Sequence, residues 1–254
     1  MRIYYVMETR GRRCHVLSAL GVDVRAWNRL HRRVREWHRR LKQRHGIPAN
    51  EERRLSDLLT ATSPADPSCG CDCHTQSVPP HGTEMVAQGL RVVEDFAVET
   101  GGVGIINVCL DMDKTPAHRR VALDRLFNRV NATADREGGY ALLIFGQEPD
   151  DIVVRTYERL RSHNPVPVRV GACGDGWHTR NLPIDRIIGG PVFRDPGADC
   201  LLQVAGIVAH ALLWREEPSA SGMDAGENVG AFTVLDHALN LRASRHDSRG
   251  IVRR

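Results

Sequence analysis

The first eleven residues constrain the fold of this chain more than any other stretch. The run from Ile3 to Met7 is nearly unbroken in apolar residues and rich in β-branched and aromatic types, which predicts a strand covered on both faces. Polar residues and Gly11 then predict a turn. The strand ends with a carboxylate, Glu8, beside the cationic Arg10. Because the end of a strand is where α/β proteins usually place their chemistry, this end is a candidate site.

The rest of the chain alternates between segments typical of strands and segments typical of helices. A second strand is predicted over residues 14–20, antiparallel to the first, and an amphipathic helix over residues 24–44. The remaining predicted elements are strands over 103–110, 140–145 and 187–193, and helices over 84–100, 115–137, 150–162 and 198–215. Two strands followed by alternating helices and strands predict an α/β fold with a mixed β-sheet flanked by helices.

The predicted domain organisation is one large domain with an insertion. The 254 residues suit one such domain. We predict that it covers residues 1–215, with a cysteine-rich loop insertion at 62–82. Residues 216–254 are predicted to be a flexible linker and a basic, partly ordered C-terminal tail.

Composition indicates a soluble globular protein. The apolar content of 41% and the charged content of 26% are ordinary for such a chain. No apolar run approaches the ~20 residues of a membrane span, and the N-terminus lacks the pattern of a signal peptide. We therefore expect a cytoplasmic protein with no membrane partner. Seven cysteines, an odd number unevenly spread, argue against a disulfide framework.

The predicted helix over residues 24–44 is strongly basic. It contains nine arginines and lysines and a single acid, Glu36. Clustered positive charge indicates a polyanionic partner, so nucleic acid is a candidate. The side chains predicted to contact it are Arg32, Arg33, Arg39 and Arg40. The alternative is a helix packed on the core whose basic side is only solvated. The pattern predicts no oligomeric state.

The insertion contains a dense group of metal-binding residue types. Thiolate and imidazole ligands suit a tetrahedral zinc ion. The candidate ligands are Cys69, Cys71, Cys73 and His74. Their spacing is too tight for all four to bind one ion easily, so an exposed cysteine-rich loop without metal is the alternative.

Carboxylates follow several predicted strands and could form a different kind of metal site. A two-metal phosphodiester-cleaving site needs several carboxylates around ions ~4 Å apart. The candidates for an active nuclease are Glu8, Asp111, Glu148 and Asp199. Each of them has the alternative role of a helix cap or turn residue. Mg²⁺ or Mn²⁺ would be the cofactor only if this site functions.

Four segments resemble an uncharacterised RNase H-like family, catalogued as domain of unknown function thirty-eight hundred. They are residues 4–10 (YYVMETR), 51–59 (EERRLSDLL), 143–148 (LIFGQE) and 202–209 (LQVAGIVA). The last segment is the most specific part of the resemblance. The resemblance as a whole implies an RNase H-like fold over most of the chain. The family pattern also implies a metal-dependent nuclease or hydrolase site.

The departures from the family pattern change the functional prediction. Acids are expected where this chain has Met7, Gly146 and Gly206, and a histidine is expected near Arg54. Glu8 is the only motif acid left in register, and hence the remaining catalytic candidate. The resemblance therefore implies a catalytically silent member that retains nucleic-acid binding. An active nuclease using substitute acids and a zinc-stabilised interaction module remain as alternatives.

Overall fold

The structure is a computed structural model that describes residues 1–45, 82–169, 177–218 and 230–253. It is an α/β fold with a mixed five-stranded sheet flanked by helices, as predicted. The strands are β1 (Arg2–Arg10), β2 (Cys14–Asp23), β3 (Val103–Asp111), β4 (Ala141–Phe145), β5 (Pro165–Arg169), β6 (Trp177–Asn181) and β7 (Val192–Phe193). The helices are α1 (Val24–His45), α2 (Gly82–Thr100), α3 (His118–Arg136), α4 (Asp151–Ser162) and α5 (Cys200–Glu216).

The main sheet has the strand order β3-β2-β1-β4-β7. β2 is antiparallel to both β1 and β3, which confirms the predicted pairing of the first two strands. β4 is parallel to β1, with Val6 opposite Phe145, and β7 is parallel to β4. Because β1 and β4 are parallel neighbours, their carboxyl ends meet at one edge of the sheet.

Alternation along β1 divides the core into two layers. Tyr5 and Met7 face the layer that contains α1, α2 and α5, whereas Tyr4 and Val6 face the layer that contains α3 and α4. Successive side chains of a strand point to opposite faces, so neighbouring residues belong to different layers. α5 is the central helix of its layer, and every residue from Leu201 to Trp214 is buried.

Residues 230–253 pack onto the domain, contrary to the prediction of a partly ordered tail. Phe232, Leu235 and Ile251 are fully buried in the core that includes α5. Arg253 forms an ion pair with Glu216 at 2.6 Å, so part of the basic charge serves to anchor the segment. Its short apolar stretches have no helical or strand period, which is why the sequence pattern did not indicate burial.

Three smaller predictions differ from the structure. α3 begins at His118 and not at residue 115 as predicted, and the preceding Ala117 has a left-handed backbone (φ 52°) and makes no side-chain cap. The predicted strand over 187–193 is reduced to β7. The β5–β6 hairpin was not predicted, because two prolines in β5 argue against a strand. None of the helices in the described ranges is long and apolar enough to cross a membrane.

Candidate functional site

Met7, Gly146 and Gly206 meet at the carboxyl edge of the sheet. Gly146 follows β4 and donates its backbone N–H to the carbonyl of Val6 at 3.0 Å. A Cβ atom added to Gly146 would overlap Sδ of Met7, and one added to Gly206 would lie 3.5 Å from Cε of Met7. The structure therefore brings together three positions that are far apart in the sequence and that were predicted to be lost acids.

The Met7 side chain occupies the space between the two glycines. A Cβ atom on Gly146 would also lie 3.3 Å from Cδ2 of Leu202, so the surroundings are apolar. Mg²⁺ and Mn²⁺ bind hard oxygen ligands, and neither a thioether nor a glycine hydrogen provides one. As they stand, these three positions offer no side-chain ligand for a divalent ion.

Glu8 lies on the opposite face of the sheet from Met7. Its carboxylate accepts hydrogen bonds from Nε of Arg119 at 2.9 and 3.0 Å and from Nε2 of His15 at 2.9 Å. Arg119 also pairs with Asp150 at 2.6 Å. The prediction that Glu8 is the surviving acid of the same site is wrong, because adjacent strand residues cannot point to the same side. Glu8 instead belongs to an ion-pair cluster centred on Arg119.

This cluster holds both of its carboxylates in the ionised form. Burial raises the pKa of Glu8, but the hydrogen bond and charge of His15 and the charge of Arg119 outweigh burial and leave the pKa below its usual range. Burial likewise raises the pKa of Asp150, while Arg119 and the amide of Ile152 bring it below its usual range. Arg119 is therefore the electrostatic link between the end of β1 and the start of α4.

Removing the Arg119 guanidinium should destabilise the protein more at neutral pH than at acidic pH. We expect Arg119→Leu to lower the free energy of unfolding by about 1–2 kcal/mol at neutral pH, between the values for exposed and buried ion pairs. The depressed pKa values stabilise the fold above the unfolded-state values of about 4, and this contribution is lost as the pH falls through the folded-state values. Urea denaturation at neutral and acidic pH measures the difference.

The matched control is Arg155→Leu, which removes the partner of the exposed Asp151 in α4. Both residues of that pair are mostly exposed, so the change should have little effect at either pH. A loss in Arg119→Leu that stays the same in acid would contradict an electrostatic role.

The other predicted acids each have a separate local role. Asp111 pairs with Lys114 at 3.1 Å in the turn after β3. Asp199 caps α5 by accepting the amides of Leu201 and Leu202. Glu148 is exposed. In the ranges that the structure describes, no group of three or more His, Cys, Asp or Glu residues could hold a metal ion. The four carboxylates of the active-nuclease hypothesis are thus not assembled into one metal site.

The predicted basic residues of α1 differ in their surroundings. Arg33 pairs with Glu99 at 2.8 Å, and Arg40 pairs with Glu36 at 2.6 Å. Arg32 is exposed, and Arg39 lines a cleft between α1 and the start of α5. The predicted zinc ligands, Cys69, Cys71, Cys73 and His74, lie outside the described residues.

Comparison with known proteins provides no functional assignment. No family model, no curated protein and no solved structure matches this chain. Function is therefore inferred from the residues at the two faces of the sheet edge and along α1. Two features could not be predicted from the sequence: Arg119, which has no spacing signal, and the cleft beside Arg39, which depends on how α1 and α5 pack.

Proposed function

We propose that this chain is an RNase H-like protein that binds nucleic acid but does not hydrolyse it by a two-metal mechanism. The observation that carries this proposal is the packing of Met7 between Gly146 and Gly206. The three positions that the family resemblance assigns to acids are neighbours in space, at the end of two parallel strands. That is where carboxylates would have to converge to share metal ions.

The sheet topology supports the fold part of the proposal. Three antiparallel strands lead into two parallel ones, in the spatial order β3-β2-β1-β4-β7. A mixed sheet flanked by helices is what the resemblance implies for the fold. α5 then packs on the sheet and brings Gly206 to the ends of β1 and β4. A residue from this helix can therefore lie beside Met7 and Gly146, as the resemblance implies.

The chemistry supports the loss of catalysis. Two-metal hydrolysis requires carboxylates that fix two cations and neutralise their charge. Here the Met7 side chain fills the space between the two glycines, and the adjacent Glu8 is held by Arg119 on the other face of the sheet. The basic surface of α1 does not depend on that site, so nucleic-acid binding can persist without hydrolysis.

Restoring the acids tests the proposal directly. We expect the triple variant Met7→Asp, Gly146→Asp, Gly206→Asp to bind Mn²⁺ saturably, because its three carboxylates would share one location. Calorimetric titration of chelator-treated protein measures this binding. The wild type should give no saturable heat at millimolar metal.

The matched control carries asparagine at the same three positions, because asparagine has nearly the same shape as aspartate but no charge. It should fail to bind metal. Saturable binding of Mn²⁺ by the wild type, or a folded triple aspartate variant that binds none, would contradict the proposal. Circular dichroism of all three proteins shows whether they are folded.

A further inference from the structure

A cleft of about 360 Å³ lies between α1 and the start of α5. Its volume falls within the range of about 300–1,000 Å³ that is usual for small-ligand sites. One wall is a row of residues on α1 at spacings of four, which places them on one helix face. This row consists of Trp27, His31, Arg35 and Arg39. The opposite wall includes Arg194 and Asp199.

The aromatic end of the cleft is a rigid platform. The rings of Trp27 and His31 are stacked, with centroids 4.7 Å apart and planes inclined by 12°. Nε1 of Trp27 donates a hydrogen bond to the hydroxyl of Tyr5 at 2.6 Å, which fixes the indole. Both rings are only partly buried. A flat, fixed and partly exposed aromatic surface is suited to stacking with a nucleobase.

The other end of the cleft is cationic. Arg194 pairs with Asp199 at 3.3 Å, and Asp199 also caps α5. Arg35 and Arg39 are exposed and form no ion pair within the described residues. Three arginines against one aspartate leave the cleft positive, and two guanidinium groups one helical turn apart can each contact a phosphate.

We propose that this cleft binds single-stranded nucleic acid, with a base stacked on the Trp27–His31 platform and its phosphates at Arg35 and Arg39. A base inside a duplex has both faces covered by its neighbours, so only an unpaired or terminal base can use the platform. This inference names the site and the type of nucleic acid for the binding activity proposed above, and rests on that part of the proposal.

Fluorescence anisotropy with labelled oligo-dT and oligo-U, in EDTA, tests the inference. Arg35→Ala/Arg39→Ala should weaken binding by about tenfold or more. It should also reduce the dependence of log Kd on log salt concentration by about 1.4, since each phosphate contact on a single strand contributes about 0.7. His31→Ala removes one ring of the platform, so it should weaken oligonucleotide binding with a smaller change in that salt dependence than Arg35→Ala/Arg39→Ala.

The matched control is Arg29→Ala/Arg44→Ala, which removes the same charge from exposed positions of the same helix outside the cleft. It should change the affinity much less than Arg35→Ala/Arg39→Ala. Equal losses in the two double variants would overturn the inference, as would a preference for duplex or the absence of binding at low salt. Displacement of the oligonucleotide by tripolyphosphate at equal phosphate concentration would also overturn it, since a simple anion site needs no base.

These measurements use EDTA and are therefore independent of the metal titration. Failure of oligonucleotide binding leaves the loss of the metal site standing. Metal binding by the wild type would contradict the proposed loss of the metal site, but the inference about the cleft would still hold.

Discussion

Replacing Phe232 by alanine should lower the free energy of unfolding by about 3–5 kcal/mol, the usual loss for a fully buried phenylalanine. The ring is fully buried in the core layer of α2 and α5, and the Arg215 guanidinium lies 5.6 Å from its centre. The truncation removes buried apolar area and leaves a cavity in a close-packed layer. Urea denaturation followed by circular dichroism measures the loss.

Leu241→Ala is the control for this experiment, because Leu241 belongs to the same C-terminal segment but is 52% exposed. Its effect should stay within about 0.5 kcal/mol, as is usual for surface positions. A similarly small effect of Phe232→Ala would show that residues 230–253 are not part of the folded core.

Gly146→Ala should destabilise the protein by about 1–2 kcal/mol, within the range for overpacked sites, because the flexible Met7 side chain has to move. A Cβ atom at this position would overlap Sδ of Met7 and would lie 3.3 Å from Cδ2 of Leu202. In a background that already carries Met7→Ala, the same substitution should cost little, because the overlapping side chain is gone. Chemical denaturation of the wild type, both single variants and the double variant gives the coupling energy.

Gly139→Ala provides a matched control, since a Cβ atom there would approach only the backbone nitrogen of Met1, at 3.6 Å. Additive effects of Met7→Ala and Gly146→Ala would show that the two positions are not in contact. Strong coupling would mean that position 146 does not readily accept a larger side chain while Met7 remains. Met7 and Gly146 would then form one packed unit, as the proposed function requires.

Much of the fold could be predicted from the sequence, because the patterns that define it are local. The apolar stripe of α1 gave the buried face correctly, and Leu30, Val34 and Trp37 all lie in the core. The alternation of strand and helix patterns was sufficient to predict an α/β fold with a mixed sheet. The C-terminal segment was missed because its burial depends on contacts with β3 and α2 and not on any period of its own.

The candidate site was harder to predict because it depends on which face each residue occupies. The alternation of β1 already separates Met7 from Glu8, and that signal was available in the sequence. The register of β1 against β4 and the position of α5 could not be predicted from the sequence. These two features place Met7 next to both glycines. Likewise, Arg39 and Arg40 look equivalent along α1, and only the packing of α5 distinguishes them.

The C-terminal segment also closes one side of the sheet. β3 is an outer strand, and four backbone hydrogen bonds join its free side to residues 238–252. Ile105 donates to the carbonyl of Ala238 at 2.7 Å, and Cys109 donates to that of Val252 at 2.9 Å. An open strand of this kind is a template on which a second chain can add its own strand, which leads to aggregation. The segment that completes the core therefore also covers this outer strand, so several backbone groups of β3 are already paired and are not available to a strand from another copy.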